Sequence, residues 1–203
     1  MLSLRAYALA VTTTLTLVLP AAAQAQAPAP DKSGGAVYQA PTPVPTPPPA
    51  PEDIVVPGAV AQLLPDGTAA APADAPPQVQ AAIFAANKLL DKPYKYGGGH
   101  AKVEDSGYDC SGTVSYALIG AKLLKTPLDS GSFMRWGLKG KGAWITVYTN
   151  PGHAFAVIAG LRLDTSTGGI TSRKIARTAE RGPRWRVALR SARGFKMRHP
   201  VGF

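Results

Sequence analysis

The chain has 203 residues, a formal net charge of +10 and a single cysteine. One cysteine excludes an intramolecular disulfide, and the uneven composition excludes a single domain over the whole length. The positive excess points to a polyanionic neighbour.

Residues 1–25 read as a secretory signal peptide. Arg5 supplies the basic start, Ala6 to Leu19 is an apolar run, and Ala23-Gln24-Ala25 fits a small-residue cleavage site. The run is short for a spanning helix. Cleavage is expected to leave no stable membrane span, with the mature chain secreted or periplasmic. Residues 26–77 follow as a Pro/Ala-rich linker holding 14 of the 20 prolines. Proline removes an N–H donor and fixes φ, so TPVPTPPPAPE is expected to be an extended, disordered tether. The milder patch Ile54 to Leu64 is left open as a segment that packs on the folded part.

Residues 78–203 have a common single-domain size. They carry 20 Lys and Arg against 7 Asp and Glu. In an exported protein that charge fits a cell-wall polymer, and export argues against nucleic acid. Gln78 to Asp91 places Val79, Ala82, Ile83, Ala86, Leu89 and Leu90 near a helical period, with Pro76-Pro77 suited to its first turn. A glycine-rich loop from Tyr94 leads to a second helix over Cys110 to Leu124, weakened near its end by Gly120. Asp129 to Trp136 is expected as a short third helix capped by Asp129 or Ser130. Strands are expected at Ala143 to Thr149, His153 to Ala159 and Leu161 to Asp164, linked by turns at Asn150-Pro151-Gly152 and Gly160. Two more are expected over Arg184 to Arg190 and Phe195 to His199. Helices first and hairpin-linked strands after imply an α+β domain with an antiparallel sheet.

The chemistry gathers at Cys110. A cysteine in the first turn of a helix meets unpaired N–H groups and the positive end of the helix dipole, and both favour the thiolate. The other reading is a buried, inert thiol. A thiol hydrolase also needs an imidazole and a group that orients it. His153 starts a strand directly after a turn, and Asp164 ends the neighbouring strand of a tight hairpin, so contact between matched positions is expected. His100, ten residues before Cys110, is a second candidate base. His199 is the weakest.

The blocks PYKYGG, YDCSGTVSYAL and GHAFAVIAG resemble the NlpC/P60 family of cell-wall cysteine peptidases over about residues 80 to 165. The resemblance implies a papain-like core and hydrolysis of amide bonds in peptidoglycan stem peptides, commonly between the γ-linked D-glutamyl residue and the diamino acid. It implies Cys110 as nucleophile and His153 as base. It also implies Tyr94 lining the site, with Asp109 and Ser111 helping to hold the amino end of the stem peptide. The family's third catalytic residue is usually His, Asn or Gln. Asp164 is the match here, a departure, with Thr165 one position on. Peptidoglycan and anionic wall polymers are the expected partners, acting on a monomer with no cofactor or metal. The alternatives are a non-catalytic wall-binding module of the same fold, or another papain-like thiol enzyme such as a transpeptidase or amidase.

Overall fold

A computed structural model of the protein describes residues 53–166, 182–187 and 189–203, all within the compact unit Pro47–Phe203. The expected signal peptide, linker residues 26–52, and Arg173, Lys174, Arg177 and Arg181 lie outside the described residues. What is described is a mixed helix and sheet structure whose larger sheet is antiparallel.

The folded part begins earlier than position 78. Three short strands, β1 (Val55–Val56), β2 (Gln62–Leu63) and β3 (Ala69–Pro72), form a small sheet in the order β1-β3-β2. Residues 53–77 are therefore not a disordered tether. The reason is local: Ala69, Ala70 and Ala71 are small enough to be fully buried against the helix that follows. The segment is also latched to the main sheet, because the Ala61 N–H donates to the Ala159 carbonyl at 2.8 Å.

Helix α1 (Pro77–Asn87) starts on Pro77, whose missing N–H is one the first turn leaves unpaired in any case. Its apolar stripe Val79, Ala82, Ile83 and Ala86 is buried as the spacing predicts. It ends at Asn87, short of Asp91, in successive tightened turns through Lys92. Helix α2 (Cys110–Gly120) is buried along most of its length, from Ser111 to Leu118. Gly120 is the crossing point of the two helices. A Cβ there would lie 2.4 Å from Ala85 Cβ, so the glycine that weakens the helix in isolation is what lets it pack. Helix α3 (Ser130–Phe133) is capped by Asp129, whose carboxylate accepts from the Ser132 N–H.

The main sheet runs β4-β9-β5-β6-β7-β8, built from β4 (Leu138–Lys139), β5 (Ile145–Asn150), β6 (His153–Ile158), β7 (Leu161–Asp164), β8 (Arg184–Arg186) and β9 (Lys196–His199). Strand β4 is absent from the sequence expectations; two residues paired to β9 leave no pattern to read. The strand expected over Arg184 to Arg190 stops at Arg186, and Val187 and Leu189 are exposed. Alternation along each strand gives the sheet two faces. One face sends Ile145, Val147, Ala154, Ala156, Ile158, Leu163 and Trp185 into the core shared with α1 and α2. The other carries Tyr148, Phe155, Arg162 and Asp164, which are buried in turn.

Asn87 joins three of these elements. Its Oδ1 accepts from the Ala69 N–H at 2.9 Å and from Trp185 Nε1 at 2.8 Å, and its Nδ2 donates to the Ala69 carbonyl at 2.9 Å. All of these groups are buried. Asn87→Ala strands three of them, each at a cost of about 1–3 kcal/mol. Chemical denaturation is expected to show a total loss of at least about 3 kcal/mol with the slope unchanged.

Candidate active site

The loop before α2 is shaped by close backbone contacts. A Cβ on Gly112 would lie 2.1 Å from the Gly98 carbonyl oxygen, so the first turn of α2 can sit against the glycine run only without side chains. Asp109 organises both sides of this contact. Its carboxylate accepts from the Gly112 N–H at 2.7 Å, the Gly97 N–H at 3.1 Å and Ser111 Oγ at 3.1 Å. His100 Nε2 lies 3.0 Å from the same carboxylate and 3.3 Å from Ser111 Oγ. His100 is thus held by Asp109 and Ser111.

Cys110 is the first residue of α2, half-buried, with its thiol free of any disulfide. The His153 side chain and the Ala154 N–H both face its sulfur and favour the thiolate. Two elements bring His153 there. A two-residue turn, Pro151–Gly152, closes the β5–β6 hairpin so that Asn150 pairs with His153. Ser130 Oγ then donates to the Pro151 carbonyl at 3.1 Å, tying α3 to that turn.

His153 Nε2 lies 2.9 Å from Asp164 Oδ1, so Nδ1 is the nitrogen left to face Cys110. The contact with Asp164 is diagonal rather than direct. Ala156 pairs with Leu163, which sets Asp164 opposite Phe155, two positions along from His153 on the same face. The expectation of matched positions is off by one such step, because the β6–β7 turn is centred on Ala159-Gly160 and pairs Ile158 with Leu161. Both of those residues have positive φ, at 46° and 91°. That turn geometry matches the twist of the strands, and the Ala61 N–H holds it at the Ala159 carbonyl.

Asp164 is 1% exposed. Its Oδ1 also accepts from the Ser166 N–H at 2.9 Å, and its Oδ2 faces Arg190 Nη1 at 3.4 Å and Arg162 Nε at 3.6 Å. Burial pushes the Asp164 carboxyl up, but the His153 hydrogen bond, the Ser166 N–H and the charges of His153 and Arg162 hold it below the usual range. Burial pulls His153 down, yet the hydrogen bonds to Asp164 and Cys110 and their charges raise it to about 9. Burial raises the Cys110 thiol, and the His153 hydrogen bond, the Ala154 N–H and the His153 charge more than offset it, so the net shift is downward. Both shifts run in the direction of a thiolate beside an imidazolium.

The thiol opens on a cleft of about 370 Å³ lined by Tyr94, Tyr96, His100, Asp109, Ser111 and Asp129, among others. All six residues singled out in the sequence lie at this place: Cys110, Asp109, Ser111 and Tyr94 on the cleft, His153 and Asp164 in line behind Cys110. The sequence reading missed Asp129, Tyr96, Ser166 and Arg190. Asp129 had a signal only as a helix cap, and Arg190 only as the end of an expected strand. Among the described residues no group of three or more His, Cys, Asp or Glu side chains is set to hold a metal ion, and no helix is long and apolar enough to cross a membrane.

No protein-family model matches the chain, and no curated protein matches it. Among solved structures it is similar to the peptidoglycan hydrolase RipB from Mycobacterium tuberculosis, with a TM-score of 0.44 and 18% identity. The match covers 62% of this chain and 66%, just under two thirds, of that one. At that level the likeness carries nothing about activity.

The thiolate–imidazolium state has a direct signature. Alkylation of Cys110 by iodoacetamide is expected to set in well below the ordinary thiol pKa of about 8.5. His153→Ala removes the hydrogen bond and charge while leaving Cys110 half-buried, so alkylation at pH 6 should slow by at least about tenfold. Equal rates for the two proteins would show that Cys110 is an ordinary thiol.

Proposed function

We propose that the protein is an exported peptidoglycan hydrolase, a cysteine peptidase of the NlpC/P60 kind that cuts amide bonds in stem peptides. The observation that carries this reading is the line Cys110–His153–Asp164, which opens on a cleft at the start of a helix. The DCSG and GHAFAVIAG blocks supply two members of that line, Cys110 and His153. The family's usual bond, between the γ-linked D-glutamyl residue and the diamino acid, is the proposed target.

In this mechanism the Cys110 thiolate attacks the scissile carbonyl carbon and forms the C–S bond. The Cys110 N–H, at the first position of α2, has no carbonyl partner within the helix and is a donor for the oxyanion. The His153 imidazolium gives its proton to the leaving amine as the C–N bond breaks, leaving a thioester. Neutral His153 then takes a proton from water, the hydroxide attacks, and the C–S bond breaks to restore the thiolate–imidazolium pair and release a carboxylic acid, which loses its proton to solvent. Asp164 keeps Nε2 occupied, so that Nδ1 always faces the sulfur, and stabilises the imidazolium. Asp109 and Asp129 make one side of the cleft acidic, which suits the free amino end of a stem peptide. The basic remainder of the domain suits the anionic wall around it.

Cys110→Ala is expected to abolish clearing on a zymogram of purified wall while the protein still folds. Wall binding without clearing by the wild type would instead favour the non-catalytic module. Mass analysis of released fragments separates endopeptidase cleavage from transpeptidation. His153→Ala should lose several orders of magnitude, on the scale of triad deletions, and His100→Ala far less. Hydrolysis should fall above about pH 9, where His153 loses the proton it must deliver, and on the acid side as the thiol and Asp164 take up protons. Alkylation of Cys110 that stays high past about pH 9 while hydrolysis falls would match this assignment. A hydrolysis rate still rising past pH 10 would contradict it.

A further inference from the structure

A buried carboxylate costs several kcal/mol unless its charge is met, and His153 meets only one oxygen of Asp164. The other oxygen, Oδ2, faces Arg190 Nη1 at 3.4 Å. The same Nη1 donates to Ser166 Oγ at 2.7 Å, and the Ser166 N–H donates back to Asp164 Oδ1 at 2.9 Å, closing a ring of contacts behind the carboxylate. Arg190 is itself held from below. Its guanidinium carbon lies 5.1 Å from the centre of the Phe195 ring and 5.5 Å from that of Phe155, close enough for cation–π attraction. Those two rings meet edge to face at 5.1 Å, and each stands 6.3 Å from the His153 ring. The surface that carries Arg190 is therefore the wall against which the imidazole rests.

We propose that Arg190 is a positioning residue: seated on Phe155 and Phe195, it holds the Asp164 carboxylate ionised and turned toward His153 Nε2. This rests on the reading of Cys110, His153 and Asp164 as the catalytic line. It also accounts for the departure from the family pattern. A neutral Asn or Gln in the third position needs no counter-charge, whereas a buried Asp does.

The other charges around Asp164 are placed differently. His153 faces it from β6, with Cys110 of α2 beyond. Arg162, on its own strand, has Nε 3.6 Å from Oδ2 and makes no hydrogen bond through that atom among the described residues. From β8, Arg184 is the register partner of Asp164 but directs Nη1 to the Leu90 and Pro183 carbonyls, and Arg186 pairs with Arg162. Arg162 is fully buried, so its replacement would test folding first. Arg190 keeps 26% of its side chain exposed and tolerates exchange better.

The test uses Arg190→Met and Arg190→Lys in the full chain, with thermal unfolding as the check on folding. Cys110 alkylation by iodoacetamide is followed against pH, alongside kcat and KM on a soluble stem peptide. Without the guanidinium, Asp164 takes up a proton more readily, and the imidazolium loses its anchor at a higher pH. The acid limb of alkylation in Arg190→Met should therefore move up by about one pH unit, and kcat should fall about tenfold with KM nearly unchanged. Arg190→Lys, which keeps the charge, should recover part of both. If Arg190→Met keeps the wild-type limb, or if both variants lose rate equally with the limb in place, Arg190 only packs and the proposal is overturned. A wild type whose Cys110 alkylates no faster than a free thiol would overturn the catalytic line itself, and the role of Arg190 with it.

Discussion

Cys110 has to open a helix that is buried along most of its length, and much of the domain is arranged to permit that. A helix buried from Ser111 to Leu118 needs close neighbours along that length. Gly98 and Gly112 let the loop touch its first turn, Gly120 lets α1 cross its last, and β6 lies along its side. Because α2 is gripped this way, its N-terminus is a fixed point. The thiol can then meet an imidazole delivered from a separate hairpin without either side chain being long. Asp109 serves the same constraint. It caps the helix and gathers Gly97, His100 and Ser111 in one set of hydrogen bonds, so the loop and the helix start move together.

The second constraint is electrostatic. The line from Cys110 to Asp164 runs from a half-exposed thiol to a fully buried carboxylate, and effective dielectric falls along the way. Charge interactions strengthen in that direction. That is why His153 is raised against the pull of its own burial, and why the Asp164 environment is crowded with arginines. The same crowding disfavours Arg162. Burial and the neighbouring charges of Arg186 and Arg190 push its guanidinium down, and only Asp164 opposes them. The face of the sheet away from the helices is thus a buried polar layer, with Tyr148 stacked on Phe155 at 4.7 Å as its apolar floor.

How legible this was depended on how local the cause was. The β5–β6 hairpin was legible because Asn150-Pro151-Gly152 is a turn wherever it occurs and HAFAVI is apolar enough to be buried on both sides. The stripe of α1 was legible for the same kind of reason. The small sheet of β1, β2 and β3 was not. Alanine and proline have low strand preference, and these residues become strands only because α1 offers a surface against which alanines can close. The shortened β8 was not legible either: Trp185 is drawn inward by its bond to Asn87, 98 residues away in sequence, and past Arg186 nothing comparable holds Val187 or Leu189 among the described residues.

The sequence by itself determined the order of the three helices and of strands β5 to β9, the position of a lone cysteine at a helix start and of a histidine at a strand start. Each of these follows from capping, turn chemistry and periodicity within a few residues. The tertiary structure decided the rest. It set the β6–β7 register, so that Asp164 reaches His153 along a diagonal. It tied His100 to Asp109 and Ser111. It brought Arg190, 26 residues after Asp164 in the chain, to the back of that carboxylate. Register and long-range pairing depend on how several elements pack at once, and no single stretch of residues encodes that balance.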